Sequence, residues 1–192
     1  MRAGVEGAGF TLRGLVLALD ASTARGSVAV LRDGEVVARG GAEMRGATEE
    51  RLMPAVAAAL AAAGARPAAL DRIVCGGGPG GFTGLRIAAG IAKGMALASG
   101  APLHAVGSLA LLVAGAAAAL GVGRFVAVTD AMRHERFAQP CDVGSDGAVT
   151  PLGAPRLMTE PELARLAAAE GWVRVGPLEA GHATWPDAAG VA

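Results

Sequence analysis

The sequence predicts a mixed α/β fold built twice, and three observations carry that expectation. An order of three strands, helix, strand, helix, strand fills the first half of the chain, and three strands, helix and strand return in the second. Each half opens on an apolar strand ending in Asp-Ala, at Asp20-Ala21 and again at Asp130-Ala131. A glycine-rich break, Gly76-Gly77-Gly78-Pro79-Gly80-Gly81, joins a strand to a helix, where backbone can turn sharply and accept close neighbours. A duplicated unit of this order is that of the actin-like ATPase (ASKHA) fold, two ribonuclease-H-like halves facing each other, which places nucleotide phosphates between the halves. Fold alone does not assign function.

The elements follow in order. Residues 1–14 form a loose extension, 15–107 the first half, and 108–192 a linking helix and a second half left incomplete at its C-terminus. Leu15 to Leu19 is a continuous apolar strand, Ser27 to Leu31 a second and Val36 to Ala42 a third, the last two joined by an Asp33-Gly34 reversal that suits positive φ. Thr48 caps the first helix, with Glu49 and Glu50 at its positive end, and Leu52, Met53, Val56 and Leu60 share one face. Pro54 inside this helix demands a kink or a late start, and Gly64 ends it. Arg72 to Cys75 is the fourth strand, Thr83 to Ser99 the second helix, Leu103 to Val106 the fifth strand, and Ser108 caps the linking helix. In the second half, Arg124 to Thr129, Arg136 to Val143 and an interrupted Val149 to Leu157 are strands. A Thr159/Glu162 capping box starts a helix that Gly171 stops, and Trp172 to Val175 follows as a strand.

Composition narrows the functions. With 53% hydrophobic residues in 192 the chain can bury a real core. Its formal net charge is +0 and Lys93 is its only lysine, so no overall field recruits nucleic acid, and RNA contact falls to another subunit. Cys75 and Cys141 stand far apart, and His104, His134 and His182 are scattered, so no metal-ligand spacing is present and a reducing cytoplasm is the expected home. The uncharged run from Gly94 to Gly123 is long enough for a membrane, but Pro102 and Gly107 divide it into helix end, buried strand and new helix. The Gly76 to Gly81 loop, with no Gly-Lys-Ser/Thr after it, is not a Walker loop, and it is either an anion cradle or a plain tight connection.

Longer motifs carry a resemblance. Leu19-Asp20-Ala21-Ser22-Thr23 with Gly26-Ser27-Val28-Ala29-Val30, Glu50-Arg51-Leu52-Met53-Pro54, and Gly78-Pro79-Gly80-Gly81-Phe82-Thr83-Gly84-Leu85-Arg86-Ile87 with Ala92-Lys93-Gly94 together resemble the TsaB (YeaZ) family. That family is the dimerisation subunit of the bacterial complex that makes threonylcarbamoyladenosine on tRNA. Likeness is strong from Leu15 to Ser108 and weaker on to Trp185-Pro186-Asp187-Ala188-Ala189. The catalytic TsaD family shares the glycine motif loosely, but it carries a metal-binding histidine pair on a helix, and the region from His104 to Leu112 has one histidine.

The resemblance implies a scaffold with no catalytic residues, no metal and no cofactor of its own. It would activate a TsaD-like subunit together with a TsaE-like ATPase, form a homodimer when alone, and leave open ATP or ADP at the partner interface. It implies docking through the first two helices, with the exposed members of Leu52, Met53, Val56, Ile87, Ile91 and Met95 as the apolar centre. The rival is a divergent actin-like ATPase or acyltransferase that binds phosphate through Asp20, Ser22, Gly78, Gly80, Gly81 and Thr83; against it, short polar side chains at 20, 22 and 23 also suit simple hairpin capping. Departures are Thr48-Glu49-Glu50-Arg51 for His-Ser-Glu-Arg, and Asp130-Ala131-Met132-Arg133 with Glu135-Arg136-Phe137 for Asp-Ala-Arg with Glu-Val-Tyr. The chain also stops before an expected last helix and closing strand, which would leave apolar surface on the first half uncovered and favour self-association.

Overall fold

The computed structural model describes residues 13–46, 49–177, 182–184 and 186–191. In the first half, β1 (Leu15–Asp20), β2 (Arg25–Arg32) and β3 (Glu35–Glu43) form an antiparallel meander, and β4 (Arg72–Gly76) and β5 (Leu103–Val106) add to β1 in parallel. The sheet order is β3-β2-β1-β4-β5. Between them run α1 (Leu52–Ala62) and α2 (Phe82–Ser99). After α3 (Ser108–Leu120) come β6 (Gly123–Asp130), β7 (Glu135–Val143), β8 (Val149–Pro151), β9 (Arg156–Thr159), α4 (Glu160–Glu170), β10 (Val173–Gly176) and β11 (His182–Ala183). The second sheet runs β11-β10-β6-β7-β8, with β9 also paired to β7. Read from the other edge this repeats the first order, so the fold is the expected pair of ribonuclease-H-like halves in the actin-like ATPase arrangement.

Strand alternation sorts the first sheet's side chains onto two faces. Leu15, Leu17, Leu19, Val28, Val30, Ile73 and Cys75 meet α1 and α2. Val16, Ala18, Ala29, Leu31 and Val74 meet Leu111 of α3 and the turn Ala188–Val191. On the second sheet, α3 covers Phe125, Ala127, Cys141 and Val175, while α4 covers Val126, Val128 and Ala138. Helix α3 is therefore apolar all round because it has a sheet on either side. Among the described residues no helix is long and apolar enough to cross a membrane.

Four expectations need correction or placement. Thr48 lies outside the described residues; α1 begins only at Leu52, with the Glu50 carboxylate accepting the Leu52 and Met53 N–H groups, so Pro54 falls in the first turn, where its missing donor costs nothing. Ser108 is inside α3 rather than its cap, because its hydroxyl is committed elsewhere. The interrupted third strand of the second half is two strands, β8 and β9, set against different ends of β7. Finally, the first half is not left bare: the segment after β11 returns to it, and Ala188, Ala189 and Val191 bury its second face.

Candidate functional site

At the C-terminal end of β1 the backbone turns through Ala21 to Ala24, and the glycine loop after β4 lies directly against this turn. A Cβ on Gly76 would stand 1.8 Å from Asp20 Oδ2, one on Gly80 2.2 Å from the Ser22 carbonyl oxygen, and one on Gly84 2.0 Å from that of Ala21. Gly76 makes room for the Asp20 carboxylate, and Gly80 and Gly84 for backbone carbonyls. Three of the loop's donors are spent internally: Gly77 N–H donates to the Val106 carbonyl at 2.8 Å, Gly81 N–H to that of Ser22 at 2.6 Å, and Gly78 N–H to Ser108 Oγ at 2.9 Å.

Asp20 closes the arrangement. Its carboxylate is fully buried, Oδ1 accepting from the Ser22 N–H at 2.8 Å and the Ser22 hydroxyl at 2.7 Å, and Oδ2 from the Ser108 hydroxyl at 2.5 Å. Burial raises its pKa, and the bonds from Ser108 and Ser22 pull it back only in part. Burial and the neighbouring Asp20 charge also push the Cys75 thiol up to about 11, and burial alone puts Cys141 at about 12, so neither is a ready thiolate. The fold thus brings Asp20, Ser22, Gly78, Gly80 and Gly81 together, with Asp20, Ser22 and Gly78 buried, Gly80 half-buried and Gly81 exposed. Thr83, the last of the residues expected to meet phosphate, lies exposed on the first turn of α2. Ser108, 88 positions from Asp20, was beyond sequence reasoning.

The helices α1 and α2 lie side by side on one face of the first sheet, and their outer sides form the other candidate surface. Of the six predicted docking residues, Leu52, Val56 and Met95 are buried in the chain's own core and are not among the exposed members. Met53 is 40% exposed, and Ile87 and Ile91 are half-buried against the core. Exposed neighbours that the sequence reading missed are Phe82 at 73% and Leu97 at 89%, with Arg86 held 5.2 Å over the Phe82 ring. Positions 82, 86, 90, 94 and 97 fall on one helical stripe, yet two of the five are glycine and leave no mark in a hydrophobic pattern. A Cβ on Gly90 or Gly94 would meet nothing within 4 Å.

Among the described residues no group of three or more His, Cys, Asp or Glu is placed to hold an ion. His104 Nε2 faces Arg72 Nη1 at 2.6 Å instead.

Comparison with known proteins sets this geometry beside relatives. Residues 43–143 match the family described as TsaD, tRNA N6-adenosine threonylcarbamoyltransferase. The chain is 33% identical over 175 residues to the tRNA threonylcarbamoyladenosine biosynthesis protein TsaB of Escherichia coli K12, covering 90% of this chain and 74% of that protein. It is 35% identical over 122 residues to the Haemophilus influenzae protein of the same name, covering 64% of this chain and 51% of that one. Among solved structures, YeaZ from Pseudomonas aeruginosa superposes with a TM-score of 0.79 at 29% identity, over 93% of this chain and 88% of that one. A second Pseudomonas aeruginosa structure, described as an uncharacterized protein with similarity to peptidase YEAZ, gives 0.80 at 30% identity with the same coverage.

Proposed function

The chain belongs to the TsaB family, and on that premise we propose that it is a non-catalytic subunit in the biosynthesis of threonylcarbamoyladenosine on tRNA. It docks through the outer sides of α1 and α2 onto a TsaD-like catalytic subunit, acts there with a TsaE-like ATPase, and pairs with a second copy of itself when alone. Its place of work is the cytoplasm, and it meets tRNA only through the assembly. ATP or ADP is taken up by that assembly, not by the Asp20 contact of this chain, whose carboxylate oxygens are already bonded to Ser22 and Ser108.

The observation that carries this reading is the solvent side of α2. A Cβ added at Gly90 or Gly94 would point into open space, with no atom from outside the helix's own local backbone within 4 Å. In a helix interior each glycine costs about 0.5–1 kcal/mol relative to alanine. Such a cost has no return inside the protomer, whereas a second helix laid across bare backbone can approach closely. Met53, Phe82 and Leu97 then flank the crossing as apolar anchors.

Co-purification with a TsaD-like subunit tests the reading. The double variant Met53→Glu, Leu97→Glu is expected to abolish capture while its far-ultraviolet dichroism and unfolding midpoint stay those of the parent, since both side chains are exposed. Undiminished capture would refute docking through this face. Titration of the isolated chain with ATP and Mg²⁺ tests the rival: tight binding with turnover would make it an ATPase.

A further inference from the structure

A second concave surface lies away from the α1/α2 face. Residues Arg25, Ser27, Arg39 and Gly41 of β2 and β3, with Pro186 and Asp187 of the returning segment, line a cleft of about 380 Å³. That size is within the range, about 300–1,000 Å³, of sites that take small molecules. Strand register explains its shape. Arg25 pairs with Glu43, Ser27 with Gly41 and Ala29 with Arg39, so these side chains share the face on which Ala29 meets Ala188 and Ala189. The floor is the Ser27 hydroxyl beside a glycine without a side chain, and an arginine rises at each end.

Asp187 sets a carboxylate at one rim of the cleft. The Arg39 Nη1 donates to Asp187 Oδ2, while Oδ1 of the same carboxylate accepts the Ala189 N–H at 2.9 Å. Ser27 Oγ accepts the Ala188 N–H at 3.0 Å. One carboxylate of the chain itself is therefore already held at the rim by a guanidinium that has five N–H groups to offer. Glu43 stands across from Arg25 in register, on the same face of the sheet.

We propose that this cleft binds a small oxyanion, phosphate or carboxylate, between Arg25 and Arg39, with Asp187 competing for Arg39. The inference is independent of the docking function, since it uses neither α1 nor α2. Ligand held there touches β2, β3 and the segment after β11 at once, and so pins the C-terminal return onto the first half.

Isothermal titration of the full chain with inorganic phosphate, adenosine monophosphate and acetate, in a non-coordinating buffer at low salt, tests it. Saturable one-to-one binding is expected. Saturation by phosphate and the nucleotide assigns a phosphorylated ligand, and saturation by acetate alone assigns a carboxylate. Arg25→Gln and Arg39→Gln should each weaken binding about tenfold. Asp187→Asn should strengthen it by freeing Arg39. Because Arg39 also anchors the returning segment, Arg25→Gln is the cleaner variant, and thermal midpoints of all three report on folding. No saturation with any probe, or affinity unchanged in Arg25→Gln, would overturn the proposal.

Discussion

Asp20 is a carboxylate with no solvent contact, held by three donors from two side chains and one backbone amide. The sequence marks it as the end of an apolar strand and offers two readings, phosphate ligand or hairpin cap; the local bonds to Ser22 are those of the cap. Its folded-state pKa is raised above 3.8, chiefly by burial. The folded chain thus holds this proton more tightly than the unfolded one, a contribution fullest below 3.8 and lost as the pH climbs through the raised value. Urea unfolding across that range should show the parent losing stability relative to Asp20→Asn as pH rises; a difference that does not move with pH would contradict it. Ser108→Ala leaves the Gly78 N–H and Asp20 Oδ2 without their shared partner, and should cost about 1–3 kcal/mol at neutral pH in the same assay.

Helix α2 shows how far pattern reading reaches at the next level. Its start after the glycine loop and its end at Ser99 were legible, since breakers and caps act locally, and the left-handed Gly100 closes it. Which of its faces is buried was not. Leu52, Val56 and Met95 have the apolar character of contact residues, and only the sheet beneath them shows that the contact is internal. The glycines divide in the same way. Gly84→Ala would drive a methyl to 2.0 Å from the Ala21 carbonyl and should destabilise strongly. Gly90→Ala and Gly94→Ala meet nothing within 4 Å and should stabilise the isolated chain, by about 0.5–1 kcal/mol each. Denaturant midpoints check both signs. If the docking reading holds, the stabilised variants lose partner affinity, a split between stability and capture that a merely internal helix would not show.

For the assembled fold, the buried helix α3 and the returning C-terminal segment matter most. Nine residues of α3 are buried, from Ser108 to Ala117, because sheets lie against it from both halves. Ala188, Ala189 and Val191 complete the cover over Val16, Ala18, Ala29 and Leu31. Deleting residues 186–192 should therefore uncover an apolar sheet face, and light scattering should record self-association well above that of the parent. An equally monodisperse truncated chain would mean that this cover contributes little. Association through an uncovered sheet face thus belongs to the truncated chain, and it is separate from the proposed pairing of intact chains through α1 and α2.

Element order, the duplication, the glycine-loop turn and the family resemblance were all present in the linear chain, because each depends on neighbours within a few positions or on a period of two or 3.6. What folding settled were meetings across long separations: Ser108 with Asp20, Gly84 with the Ala21 carbonyl, Asp187 with Arg39, and the sorting of α1 and α2 side chains into core and surface. Periodicity states that a helix has an apolar side. It carries no information about which of two apolar stripes the sheet will claim, and a glycine is silent until its empty side is seen to face either backbone or water.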